Sequence, residues 1–275
     1  MENKVPEITK EQNLTVTEIT PVAESTWTEL TMPSFAQILG KSEQTLKQEF
    51  YLYKVKELMQ KIGLILENKA TQTEIQENID QAYSLGIKDF LVTPFYYSLI
   101  KKLGIKYRKG ISLSVAVDYP LGETEFKGKV VGVKEACKNG ADYIMCALPE
   151  KTIKLACLVQ EKKKLIKCGK VSKKPFGIIA KASLEDGELL KILQNTDSVK
   201  SDSIVIEGCG TDVYKLKEAV SVAISNKGRK KLFVISDINS VEKLTLLLDG
   251  KVDKIFTPYA NGIAEELNKF ATLQS

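Results

Sequence analysis

The 275-residue chain contains no histidine. That absence removes Ser-His-Asp and Cys-His nucleophile systems, histidine-bound zinc and any imidazole acid or base. Whatever chemistry the chain performs must use lysine, carboxylates, hydroxyls, thiols or backbone groups. Arginine is nearly absent too: Arg108 and Arg229 stand alone, so the net charge of +5 rests on lysines spread along the sequence. Nucleic-acid readers concentrate arginine forks on one basic face. The basic runs at 161–167 and 228–231 read instead as solvated helix faces and turns, and no nucleic-acid partner is expected. No apolar run approaches the roughly 18 residues that a membrane helix needs, and the acidic, polar N-terminus does not read as a secretory signal. Cys137, Cys146, Cys157, Cys168 and Cys209 form no Cys-x-x-Cys pair, and several lie in apolar segments, as reduced thiols do. The expectation is a cytoplasmic protein with no membrane contact.

What is present is an apolar fraction of 43%, enough to fill a sizeable core, with 27% charged residues. Residues 1–34 are rich in Thr, Glu, Val and Pro without sustained periodicity. They read as a flexible or loosely docked extension, with Trp27 as an anchor on the body or on a partner. A helix is expected at about 42–61, with Leu46, Phe50, Tyr53 and Leu58 near one face. Strand-like apolar runs then recur at 62–67, 89–94, 111–120, 142–149, 176–183, 202–208, 231–238 and 253–259. Helical patterns lie between them, several ending in Gly. Eight such pairs point to a single (β/α)8 TIM barrel over residues 35–275, including the leading helix. A two-strand repeat supports this. Strands two, four, six and eight begin at Asp89, Asp142, Asp202 and Asp253, while strands three, five and seven follow basic turns. Those aspartates read as caps on the bottom face.

Reactive groups on such a barrel project from the C-terminal strand ends. Read in order, these are Glu67, Thr93, Asp118, Cys146, Lys181, Glu207, Asp237 and Thr257. Lys181 interrupts an apolar strand and, by alternation, shares a face with Gly177 and Ile179. A desolvated lysine is the usual imine-forming nucleophile; nearby acids would keep it charged instead, as would a structural ion pair with Glu207. A further option is a divalent cation held by Glu67, Asp118, Glu207 and Asp237, although no metal is assigned. Two loops present backbone N–H groups at helix N-termini: Gly208 and Gly210 after strand six, and Asn261 and Gly262 after strand eight. Both are candidates for phosphate.

Two stretches carry a resemblance. Residues 67–103 resemble the first helix and second strand of deoxyribose-phosphate aldolases, where a Lys-Pro-x-Ala-Thr turn opens the helix and an Asn-Pro-Tyr-Tyr-like turn closes the strand. Residues 114–149 are closer, with the Phe-Pro-Leu-Gly turn present as Tyr119-Pro120-Leu121-Gly122 and Asn-Gly-Ala-Asp as Asn139 to Asp142. The resemblance implies a class I aldolase barrel without a cofactor, often dimeric. Its reactive residues do not carry over. The position of the family's Schiff-base lysine on strand six falls on Val205, and its second lysine falls within 232–236, which holds none. Its strand-four aspartate falls on Met145, and its strand-one Asp-His-Thr segment falls on 62–66, Ile-Gly-Leu-Ile-Leu. The Gly-Gly after strand seven has become Ser236-Asp237. The implied function is an aldolase-like barrel that has lost its catalysis and binds a small phosphorylated sugar or aldehyde. The alternative is a divergent carbon–carbon lyase with Lys181 as relocated imine lysine, Glu207 or Asp118 as proton shuttle, and Asp237 as a further candidate catalytic residue. A homodimer, or a protein partner reached through residues 1–34, is compatible with either.

Overall fold

The computed structural model describes residues 43–66, 71–94, 96–97, 110–147, 164–165, 174–183, 186–197, 201–248 and 251–273. The chain divides into two compact units, Met1–Glu49 and Phe50–Ser275, and every strand lies in the second. Helix α1 (Glu43–Lys61) leads directly into β1 (Ile62–Ile65), followed by α2 (Gln72–Ser84) and β2 (Asp89–Val92). Then come β3 (Ser112–Val117), α3 (Phe126–Asn139), β4 (Tyr143–Ala147) and β5 (Phe176–Lys181). The order continues with α4 (Asp186–Asp197), β6 (Ser203–Glu207), α5 (Val213–Asn226), β7 (Lys231–Ile235), α6 (Val241–Leu247), β8 (Lys254–Thr257) and α7 (Ala260–Leu273). The eight strands are parallel and close in sequence order, β8 pairing with β1. All eight apolar runs form the strands expected of them. Of the helices anticipated after β2 and β4, residues 94, 96–97 and 164–165 are described and are helical.

The aspartate repeat has a clear physical cause. The Asp142 carboxylate accepts from the Leu113 N–H at 2.9 Å, Asp202 from Phe176 N–H at 2.9 Å and Asp253 from Leu232 N–H at 2.8 Å. Each even strand thus satisfies a backbone donor at the start of the odd strand before it, a group that would otherwise be left without a partner at the bottom of the barrel. The fourth aspartate, Asp89, bonds the Lys254 ammonium across the β1 seam. Helix α2 opens on a capping box: the Glu74 N–H donates to Thr71 Oγ1 at 3.3 Å, and the Thr71 N–H donates to the Glu74 carboxylate at 2.6 Å.

Side-chain alternation sorts the core into two layers. Outward residues such as Val115, Ile144, Ile178, Ile204 and Val234 pack against the helices. Inward residues Leu91, Ala116, Met145, Ala147, Ile179, Val205, Phe233, Ile235 and Phe256 fill the lumen. Phe233 stands edge-on to Tyr143 and Phe256, with centroids 5.0 and 6.2 Å away. On α1 the half-buried stripe is Val55, Leu58 and Met59. Tyr53, expected on that face, is exposed: two residues from Val55 on a helix is a turn of about 200°.

Candidate functional site

The strand ends expected to form one rim separate by parity. Because Met145 faces the lumen, Cys146 must face the helices, and there its thiol meets the Ala147 carbonyl at 3.7 Å. Thr257 also points outward, donating to the Ile238 carbonyl at 2.7 Å. Glu67 lies outside the described residues. Asp118 follows β3 in a left-handed backbone conformation, φ 58°, uncommon for a residue with a side chain. Its carboxylate accepts from the Thr124 N–H at 3.0 Å and from the Thr124 hydroxyl, and it lies 3.3 Å from the ammonium of buried Lys129. Lys129 also donates to the Gly122 carbonyl at 2.6 Å. Asp118 therefore closes its own loop, and it joins no described trio of acidic or thiol groups fit to hold a metal. Lys129 went unremarked in the sequence although a signal was there. At 129, 133 and 136 it shares the inner stripe of α3 with Val133 and Ala136, and a lysine on an apolar stripe requires a buried partner.

Lys181 and Glu207 are brought together. They are register partners at the ends of β5 and β6, both facing the lumen, Lys181 half-buried and Glu207 buried. Beyond Glu207 the chain turns into the Gly208-Cys209-Gly210 loop. Gly208 is packed so tightly that a Cβ there would fall 2.5 Å from a Leu216 methyl, and its N–H donates to the Ile235 carbonyl at 2.8 Å. Gly210 takes φ 73°, which a glycine adopts without strain. The donors of this loop are already engaged. The Cys209 N–H bonds Glu207 Oε1 at 3.1 Å, and the Gly210 N–H bonds Asp237 Oδ2 at 3.1 Å. Where a phosphate would rest on these N–H groups, the chain supplies two carboxylates of its own. In the second loop the side chain of Asn261, buried at the start of α7, donates to Gln81 Oε1 at 3.1 Å and to the Asn78 carbonyl at 3.4 Å on α2. Gly262 beside it is exposed in open space.

A cavity of about 310 Å³ opens at the C-terminal mouth. Ile65, Leu91, Val92, Ala116, Pro120 and Pro258 give it a hydrocarbon wall, and Thr93, Tyr119 and Cys209 bring the polar side-chain atoms. The Tyr119 hydroxyl lies 3.5 Å from Cys209 Sγ. Burial raises the Tyr119 phenol above its ordinary range, and Cys209, Glu207 and Asp237 add to the rise. Cys209 keeps some exposed surface. Even so, burial of its thiol, against a downward pull from the Tyr119 hydroxyl and with the Glu207 and Asp237 carboxylates adding to it, pushes its pKa up to about 12. Both groups are neutral donors at physiological pH. Among the described residues, Thr93, Tyr119 and Cys209 offer a ligand polar side-chain atoms, and Tyr119 and Cys209 were not marked as site residues by their sequence.

The lumen decides what the strands can do. Val205 and Met145 are fully buried, and Phe233 and Ile235 fill the inner face of β7 beside them. Two relatives are deoxyribose-phosphate aldolases: that of Mycoplasmoides pirum, 27% identical over 201 residues, spanning 72% of this chain and 80% of the relative, and that of Mycoplasmoides gallisepticum, 27% identical over 210 residues, spanning 74% and 82%. Among solved structures, the deoxyribose phosphate aldolase of Aeropyrum pernix, described as uniquely tetrameric, superposes with a TM-score of 0.69 at 19% identity, over 82% of this chain and 97% of that one. An aldolase designated QR15 gives a TM-score of 0.68 at 21% identity, over 79% and 99%. The chain is thus similar in sequence to deoxyribose-phosphate aldolases, and the solved structures share its barrel fold. No family model matches the chain. Among the described residues no helix is long and apolar enough to cross a membrane.

Proposed function

We propose that this aldolase-like barrel does not carry out Schiff-base carbon–carbon cleavage and instead binds a small ligand at its mouth. The observation that carries the reading is the lumen. Val205 and Met145 occupy the positions to which the aldolase resemblance assigns the imine lysine and the acid, Phe233 and Ile235 are the inward residues of the stretch to which it assigns the second lysine, and all four are packed into one apolar cluster. An imine needs an amine within reach of the carbonyl and an acid or base to move its protons. Hydrocarbon at those positions supplies neither. The loop after β6 supports the same reading, since its N–H groups are held by Glu207 and Asp237 rather than left for a sugar phosphate.

The second reading rests on the Lys181–Glu207 register pair, a lumen-facing lysine beside a buried carboxylate. In it Lys181 forms the imine and Glu207 moves the proton. A cleavage assay separates the two. With 2-deoxyribose 5-phosphate as substrate, the chain is expected to release no acetaldehyde above the uncatalysed background. Turnover that disappears in Lys181→Ala would establish the second reading and overturn the first.

A further inference from the structure

We propose that the mouth cavity takes an uncharged molecule with a compact hydrocarbon or aromatic body and a single hydroxyl or carbonyl oxygen at its head, and that it rejects phosphorylated compounds. This inference rests on the reading of the barrel as a binder and names the ligand class of that site. The body follows from the wall. Ile65, Leu91, Val92, Ala116, Pro120 and Pro258 can bury hydrocarbon but offer a sugar's hydroxyls almost no partners, and a polar group buried there without a partner is costly. The size follows from the volume. An apolar cavity of ~150 Å³ holds benzene, so about 310 Å³ suits roughly ten to twelve non-hydrogen atoms.

The head follows from the polar end. Thr93, Tyr119 and Cys209 present hydroxyl and thiol groups without charge, and the Tyr119–Cys209 contact of 3.5 Å keeps them side by side. A hydroxyl or carbonyl oxygen can bond such groups. Among the described lining residues an anion meets no cationic side chain. The two backbone donors nearest Cys209 are already bonded to carboxylates, and the same Glu207 and Asp237 charges would face an incoming phosphate. The chain has, in effect, placed a permanent internal anion in the cradle next to the cavity.

The test titrates the full chain with a matched pair, 3-phenylpropan-1-ol and 3-phenylpropyl phosphate, read by amide nuclear magnetic resonance. The alcohol is expected to move the Leu91, Ala116 and Cys209 amides saturably, with a Kd at least about tenfold below that of the phosphate ester. Thr93→Phe, or Cys209→Phe if the first folds poorly, should abolish those shifts by filling the cavity. Asp237→Asn should leave the alcohol's Kd unchanged and tighten the ester about three- to tenfold. Ester binding as tight as the alcohol's would overturn the inference. So would an alcohol that moves none of these amides, or one whose shifts survive the filled cavity. The cleavage assay decides the proposed function without reference to this cavity. A chain with no turnover that takes neither probe would therefore keep that function and lose this inference.

Discussion

Replacing Lys129 by Met leaves a chain of nearly the same shape with no ammonium at its end. In the native protein that ammonium is almost wholly enclosed, its side chain 3% exposed, and it serves two acceptors: the Gly122 carbonyl at 2.6 Å and Asp118 at 3.3 Å. Removing one partner of a buried pair usually costs about 3–5 kcal/mol, because the other charge is left without compensation. Asp118 retains its two bonds from Thr124, which places Lys129→Met near the lower end, about 3 kcal/mol. Against a typical total of about 5–15 kcal/mol that is a large loss, and in a chain of this size it lowers Tm by roughly 6–12 °C. Asp118→Asn alone should cost less, since asparagine tolerates the left-handed backbone and can still accept from the Thr124 N–H. The double variant should be more stable than the sum of the singles implies, with a coupling of about 1–2 kcal/mol in urea denaturation. A cost below about 1 kcal/mol for Lys129→Met, or strictly additive singles, would refute the claim that this pair closes the loop after β3.

Asp202→Ala should cost about 1–3 kcal/mol in the same assay by stripping the Phe176 N–H of its acceptor; a neutral result would mean that the repeated aspartates at the strand starts do not cap the barrel floor. Gly208→Ala should cost about 1–3 kcal/mol because its new methyl meets Leu216, and full native stability would show that α5 gives way freely. Cys209 should resist alkylation by iodoacetamide. With a thiol pKa near 12, its rate measured by peptide mapping should still be climbing at pH 10, whereas an ordinary thiol has levelled off. The sign for stability is fixed by the same shift. The folded chain holds this proton more tightly than the unfolded one, so the contribution is complete below the ordinary thiol range and is lost as pH rises from there toward 12. Alkylation that reaches its plateau by about pH 9.5 would contradict the burial of the thiol.

The barrel was legible because its signals are local and redundant. Each strand is an apolar run bounded by turn residues, and the aspartates at 142, 202 and 253 repeat because each satisfies a backbone donor of the strand before it, while Asp89 bonds Lys254. The site was legible only where alternation could be applied strictly. Val205 and Glu207 fall on one face as spacing requires, and the same rule applied to Met145 turns Cys146 away from the lumen. The partners of a polar side chain are harder to read. Nothing adjacent in sequence says that Asp118 meets Lys129 eleven residues on, that Asn261 reaches back to Gln81, or that Asp237 bonds the Gly210 N–H from the next loop. The last two contacts are made by packing of strands and helices around the barrel, which brings together segments far apart in the chain. The cavity is the same kind of object. Its lining comes from β1, β2 and β3 and from the segments after β1, β2, β3, β6 and β8, and no short stretch of sequence contains it.

The most direct test of the central claim is chemical capture of the imine. The full chain would be incubated with acetaldehyde or 2-deoxyribose 5-phosphate, reduced with borohydride, and examined by intact mass and peptide mapping. With Val205, Met145 and Phe233 closing the lumen, the mass should remain that of the unmodified chain apart from scattered low-level labelling of surface lysines. One adduct per chain on a single lysine, above all on Lys181, would contradict the account and return this barrel to the working aldolases.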